Sequence, residues 1–160
     1  MAHPKATIRL AKTSDIDAAN SVINNSFRRY LATISKSPET EPNPYNYLEE
    51  AIADARAWLA EVDGKVVGVA QVQSLDPDTW SIDLVGVLEE YSRYGLGTAL
   101  MQRIDQDASA RGIQKLTLIT LYDLEWLWKF YERCGFAEVR RGPPPHGLDK
   151  FTRIFMEKRL

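Results

Sequence analysis

Residues 82–108 combine three signals that few folds accommodate together. An apolar run from Ile82 to Leu88 reads as a buried strand. Leu96, Leu100, Ile104 and Ala108 recur at every fourth position and predict a helix. Between them lies a turn with two glycines one residue apart, Gly95 and Gly97. A strand, a glycine turn and a helix start together make an anion site, because unpaired backbone N–H groups converge there and the helix dipole adds positive potential. Glycine also admits unusual backbone dihedrals and lets a phosphate approach without a Cβ in the way. The turn is not a Walker loop, since no Gly-Lys-Ser/Thr follows, and it lacks the third glycine of the dinucleotide fingerprint. Alone, such a turn is often simple chain reversal, so the rest of the chain has to decide.

At 160 residues the chain predicts a single domain, 1–160, large enough to bury a proper core. A net charge of −2 implies no general attraction to nucleic acid or to an anionic membrane. No apolar run approaches the roughly 20 residues that span a bilayer, and the amino terminus has no signal-peptide core, so a cytoplasmic location is expected. The single Cys134 excludes an intramolecular disulfide and a multi-cysteine metal site. The only histidines, His3 and His146, sit at the terminus and in a proline-rich loop. No metal site is expected.

Thr7–Leu10 alternates as a first strand, and Thr13 or Ser14 can cap a helix through Ile16, Ala19, Ile23, Phe27, Tyr30 and Ile34. The segment 37–45 holds Pro38, Pro42 and Pro44 and reads as a loop, followed by a second helix from Tyr47 to about Ala55. Strands 57–62 and 65–72 flank Asp63-Gly64, the preferred chemistry of a two-residue hairpin. Asp76-Pro77-Asp78 turns the chain into the strand from Trp80 to Leu88. The helix after the glycine turn runs to about Ala110 and stops at Gly112. Lys115–Leu121 reads as a strand, and Asp123 as the cap of a helix closed by Gly135. Phe136–Arg140 and Phe151–Met156 are the closing strands, candidates for a homodimer contact. The order is β-α-α-β-β-β-α-β-α-β-β, an α+β plan. Its strand–helix–strand crossover implies one parallel pair, with the glycine turn at the carboxyl end of its strand, where ligands bind in open sheets.

At this point the chain resembles the GNAT superfamily of N-acetyltransferases, in particular its small bacterial-type members. Three elements over roughly residues 57–158 carry the resemblance. The first is Val87-x3-Tyr91-x3-Gly95-Leu96-Gly97-x2-Leu100, which looks like the family's pyrophosphate loop for acetyl-CoA. The second is Phe130-Tyr131-Glu132-Arg133-Cys134-Gly135-Phe136, similar to its Tyr-x3-Gly-Phe signature. The third is the element order. Two positions depart: Ser92 stands where the family prefers Arg or Gln, with Arg93 beside it, and Leu124 stands where an Asn is common.

The resemblance implies the GNAT-type acyl-CoA N-acyltransferase fold, a mixed, mostly antiparallel sheet of about seven strands flanked by about four helices. It implies acetyl-CoA as cosubstrate and direct transfer of the acetyl group to a primary amine of a small molecule, amino acid or peptide. By the same analogy, Leu84 to Val87 hydrogen-bond the pantetheine arm through their backbone, with Val85 and Val87 foremost. A well-placed N–H on the thioester oxygen is worth about 3 kcal/mol. Ser92, Arg93, Tyr94, Gly95, Leu96, Gly97 and Thr98 would take the pyrophosphate.

A lysine amine has a pKa near 10.4 and an α-amino group about 8, so a base or a water relay must deprotonate the acceptor. Asp83, the one acidic residue in its strand, is the first candidate, set against a plain solvent-facing Asp beside Ser81. Glu89 and Glu90 are weaker candidates. The resemblance places Tyr131 near the sulfur as the acid that protonates the thiolate; the plainer alternative packs it in the core beside Phe130. Cys134 is not expected to be a nucleophile. On the acceptor side, Glu49, Glu50 and Asp54 are candidates to attract a cation, and Tyr30, Tyr45, Tyr47, Trp80, His146 and the stiff Pro143–Pro145 loop are candidates to line a pocket. Two other readings stand beside the enzyme: a non-catalytic acyl-CoA-binding or sensing module on the same fold, and an unrelated phosphate or nucleotide binder.

Overall fold

The computed structural model describes residues 5–33, 47–145, 147 and 149–160. The elements are β1 (Ala6–Leu10), α1 (Ile16–Thr33), α2 (Leu48–Ala53), β2 (Ala57–Val62), β3 (Lys65–Asp76), β4 (Thr79–Val87), α3 (Leu96–Ala110), β5 (Lys115–Leu121), α4 (Glu125–Arg133), β6 (Ala137–Gly142) and β7 (Arg153–Arg159). This is the expected order. Seven strands form one sheet, in the order β1-β2-β3-β4-β5-β7-β6. β1–β2, β2–β3, β5–β7 and β6–β7 are antiparallel, and β4–β5 is the parallel pair that the crossover implies. The chain divides into two compact units, residues 1–73 with 82–104, and residues 74–81 with 105–160.

In the first unit, Asp63 and Gly64 turn the β2–β3 hairpin with φ of +51° and +80°, the left-handed pair that matches the twist of the flanking strands. Ala19, Val22 and Ile23 of α1 and Leu48 and Ala51 of α2 form a buried cluster with Ala57, Leu59 and Val69. The expected cap at Thr13 or Ser14 is replaced by the Asp15 carboxylate. It accepts the Lys12 N–H at 2.7 Å and two bonds from Arg9, at 2.8 and 2.9 Å. Residues 13–15 form a short 3-10 turn, so the helix proper begins only after Asp15.

In the second unit, β5 and β7 pair along their whole length, from Lys115↔Arg159 to Leu121↔Arg153, and bury Leu116, Leu118, Leu121, Ile154 and Met156. The buried Arg153 makes a forked ion pair with Asp149, at 3.0 and 2.8 Å, which satisfies both charges. α4 ends on Gly135, at φ +101°, with the Phe136 N–H donating to the Tyr131 carbonyl at 3.1 Å. Lys158 reinforces that end, donating to the Cys134 carbonyl at 2.7 Å and to Asp105 at 2.5 Å. The start of α4 corrects the sequence reading: Leu124, not Asp123, holds the N-cap position, with no side-chain cap bond. Leu124 is buried, and sinking that apolar side chain delays the helix by one residue.

Candidate acyl-CoA site

The site is built first from main chain. β4 enters its parallel ladder with β5 at Thr79↔Lys115 and carries it to Ser81↔Thr117; the strand then runs on to Val87. A 3-10 turn, Glu89–Tyr91, leads into the glycines. Gly95 takes a φ of +71°, and a Cβ built there would meet nothing within 4 Å. The backbone there is left-handed and its front face is open. The first helical bond of α3 runs from the Ala99 N–H to the Gly95 carbonyl at 3.0 Å, so the N–H groups of Leu96, Gly97 and Thr98 have no acceptor inside the helix. That is the donor set an anion needs. Gly97 differs from the expectation of two unusual dihedrals: it is the second residue of α3 and has helical backbone.

Side chains around the turn are exposed, among them Ser92, Arg93, Tyr94 and Thr98. The Ser92 hydroxyl donates to the Glu89 carbonyl at 2.8 Å and so braces the turn. A second cation was missed in the sequence: Lys65 Nζ lies 5.7 Å from the Tyr91 ring centroid, and Tyr91 in turn lies 6.2 Å from Tyr94. Hairpin pairing offered the signal, because the start of β3 must lie beside the end of β4; the Leu88 N–H indeed donates to the Val67 carbonyl at 2.8 Å.

Of the catalytic candidates, Asp83 is half-buried in β4 with a buried Oδ2, which is not the environment of a freely solvated strand residue. Val85 and Val87 share its strand in the first unit, and Glu89 and Glu90 beyond it are exposed. Tyr131 belongs to the second unit, on α4, buried with its ring 5.4 Å from Phe130 and 6.2 Å from Phe136. Cys134 lies half-buried one turn on; burial pushes its thiol pKa up against the opposing pull of Lys158, which disfavours the thiolate.

The acceptor candidates scatter. Trp80 is core, 2% exposed, with the Arg111 guanidinium 4.9 Å from its ring centroid, and cannot line a cleft. Glu50 and Asp54 lie 3.9 and 2.7 Å from Arg56, which also donates to the Val72 carbonyl, so one positive charge offsets part of that acidic face. Tyr47 and Glu49 border an open cavity of about 380 Å³ with Ile16 and Asn20, at the first turns of α1. The Tyr30 side chain, Tyr45 and His146 lie outside the described residues. Among the described residues no group of three His, Cys, Asp or Glu side chains is arranged to hold a metal ion.

Residues 23–136 match the model of the Acetyltransferase (GNAT) family. This chain is a member of that family. Its sequence is 34% identical over 97 residues to "Probable N-acetyltransferase camello" of Xenopus tropicalis, an alignment that takes in 59% of this chain and 44% of that one. The chain thus spans less than half the length of that relative. It is 28% identical over 142 residues to the amino-acid acetyltransferase of Mycobacterium tuberculosis, covering 87% of this chain and 72% of the other. Among solved structures, the PaiA N-acetyltransferase of Thermoplasma acidophilum in complex with coenzyme A superposes with a TM-score of 0.79 at 16% identity, over 98% of this chain and 99% of that one. The ribosomal-protein-alanine N-acetyltransferase of Brucella melitensis gives 0.76 at 22% identity, over 96% and 99%. The fold is therefore shared almost end to end with these structures.

Proposed function

We propose that this GNAT chain is an acetyl-CoA-dependent N-acetyltransferase, one cytoplasmic domain over residues 1–160, which moves an acetyl group directly to a primary amine of a small molecule, amino acid or peptide. The observation that carries the reading is the glycine turn: a left-handed, unobstructed Gly95 entering α3, whose first N–H groups have no acceptor within the helix. In this reading the pyrophosphate sits on residues 93–98, with Arg93 adding charge at the rim. The pantetheine arm lies along β4 beyond Ser81, with the backbone of Val85 and Val87 holding it and an N–H there polarising the thioester carbonyl. Asp83 takes the proton of the acceptor amine, directly or through water, and Tyr131 returns one to the departing thiolate. The raised pKa of Cys134 supports direct transfer over an acyl-cysteine route.

Ser92 and Leu124 favour one second reading, a non-catalytic acyl-CoA-binding module, because both stand where the family pattern has other side chains. One experiment separates the two. Thermal melting with acetyl-CoA, CoA and ATP is paired with thiol release in the presence of L-glutamate, phosphinothricin and an alanine-initiated peptide, amines chosen from what similar proteins are named for. The enzyme reading expects acetyl-CoA to raise the midpoint, ATP to leave it, and at least one amine to be acetylated. Binding without turnover of any amine favours the binding module, and no shift with either CoA form contradicts both.

A further inference from the structure

In the second unit, the sheet buries one face and leaves the other open. Ile154 and Met156 of β7 are each 1% exposed, and Leu116 and Leu118 of β5 are buried with them. Side chains alternate along a strand, so Phe155 and Ile119 stand on the opposite face, where Ile119 is 45% exposed. Ile119 pairs with Phe155, and Phe155 with Arg140, which puts the three in one row across β5, β7 and β6. The row ends in a charge. The exposed Arg140 lays its guanidinium carbon 3.5 Å from the Phe155 ring centroid, the contact distance of stacked planar groups. Stacking covers the face of a guanidinium and leaves its N–H edges to donate. Among the described residues those edges meet no acceptor. The carboxylates of the same two strands and of the loop between them already hold other cations: Glu157 has Lys115 at 3.4 Å, Asp149 has Arg153 at 2.8 Å, and Glu138 has Arg141. Arg140 is thus a fixed fork of donors with no anion.

We propose that Arg140 takes the carboxylate of the acceptor, which makes the substrate class a primary amine that also carries a carboxylate. The inference rests on the N-acetyltransferase reading above and narrows it. β5 and β6 are both antiparallel to β7, so they run the same way. Arg140 leans along β6 toward Gly142, with its Nη1 3.7 Å from where a Cβ on that glycine would stand. It therefore leans toward the carboxyl end of β5. The ladder of β5 with β4 ends at Ser81↔Thr117, and Ile119 lies just past that point, on the stretch of β5 that the ladder leaves. It is beyond Ser81 that the reading above lays the cofactor arm. Strands lie about 5 Å apart, so a guanidinium over β7 is about 10 Å from a chain that runs along the free edge of β5. With a contact at each end, that gap suits an acceptor of one to two extended residues, such as an amino acid with a side-chain carboxylate or a dipeptide. Ile119 and the rim of Phe155 give its apolar stem a floor, and the fork meets the carboxylate in two charge-assisted hydrogen bonds.

The test uses the whole chain and three matched pairs of acceptors, each an acid and its amide: L-glutamate and L-glutamine, γ-aminobutyrate and γ-aminobutyramide, alanylglycine and alanylglycinamide. Acceptor KM and the melting shift with acetyl-CoA are read for the wild type, Arg140→Gln, Arg140→Lys and Arg141→Gln. The last is a control, since the Arg141 guanidinium lies against Tyr122 and is bonded to Glu138. The proposal expects the wild type to favour the acid in each pair that it acetylates. Arg140→Gln should raise the KM of the acids about tenfold, leave that of the amides, and keep the acetyl-CoA shift. Arg140→Lys, which keeps the charge and loses the fork, should recover part of the loss, and Arg141→Gln should match the wild type. Acid and amide weakened alike in Arg140→Gln would mean that the guanidinium only covers Phe155. A lost acetyl-CoA shift would give it to a phosphate of the cofactor. Either result overturns the assignment. Wild-type turnover that ignores the carboxylate sinks this inference alone; a wild type that acetylates none of the six sinks the N-acetyltransferase reading with it.

Discussion

The glycine turn at the head of α3 and the packing of Ser26 in α1 against Gly86 in β4 belong to the same compact unit, yet they are made differently. The turn is a main-chain device. Its donors are consecutive N–H groups, its shape follows from one left-handed glycine, and everything it needs lies within residues 89–99. The Ser26–Gly86 contact joins residues sixty apart and depends on a side chain meeting the absence of another. A site made of local main chain tolerates changes in the side chains around it; a contact made of distant side chains does not. Ser92 is a case of the first kind. The family's usual Arg or Gln is gone, and the turn keeps its geometry because the serine braces it through the Glu89 carbonyl.

On the proposed mechanism, the largest effects should fall on the two side chains assigned to proton transfer. Asp83→Asn is expected to lower kcat about a hundredfold, with partial recovery at high pH, where the amine loses its proton unaided. Tyr131→Phe should lower kcat by a similar factor while the acetyl-CoA midpoint shift stays in place; loss of both together would mean that Tyr131 is chiefly a packing residue. Next comes Gly86→Ala. The new methyl meets Ser26, so urea denaturation should show a loss of about 1–3 kcal/mol, much of it restored in Gly86→Ala with Ser26→Gly. No restoration would mean the two residues are not in contact.

Smaller again is an acid effect in the same unit. The Arg9 hydrogen bonds hold the Asp15 pKa at about 2, against burial, from a reference of 3.8. A depressed carboxylate contributes stability above its unfolded pKa and loses it as pH falls through the folded one. The wild type should therefore lose melting midpoint between about pH 4 and 2 more steeply than Asp15→Asn; identical pH slopes would contradict the pairing. The smallest effects belong to the rim of the turn. Arg93→Ala should weaken acetyl-CoA binding only about threefold and in a salt-dependent way, and Ser92→Ala less still. A hundredfold loss at either would reverse the comparison and make the turn a side-chain site.

What was legible in the sequence follows the same division. The order of all the strands and helices came from periodicity and turn chemistry, as with Asp63-Gly64, and the boundaries of β5 came from its run of β-formers. The family came from the spacing of Gly95, Tyr131 and Gly135. The parts that escaped depend on burial or on distance in the chain. β3 runs on to Asp76 through exposed residues that carry no pattern. α4 starts a residue late because Leu124 is buried. Lys65 beside Tyr91 appears only once the strands are laid side by side, and Ser26 over Gly86 only once α1 packs on the sheet, although a glycine within an apolar strand was itself a clue.

The most direct test of the central claim, that the turn at Gly95 is the anion site for acetyl-CoA, compares Gly95→Asn with Gly95→Asp by thermal melting. Both side chains tolerate a left-handed backbone, and both would enter open space, so the two proteins should fold alike and differ by one charge. The account predicts that acetyl-CoA raises the midpoint of the wild type, raises that of Gly95→Asn by less, and leaves that of Gly95→Asp unmoved. Equal shifts in the two variants would place the bound phosphates elsewhere and contradict it.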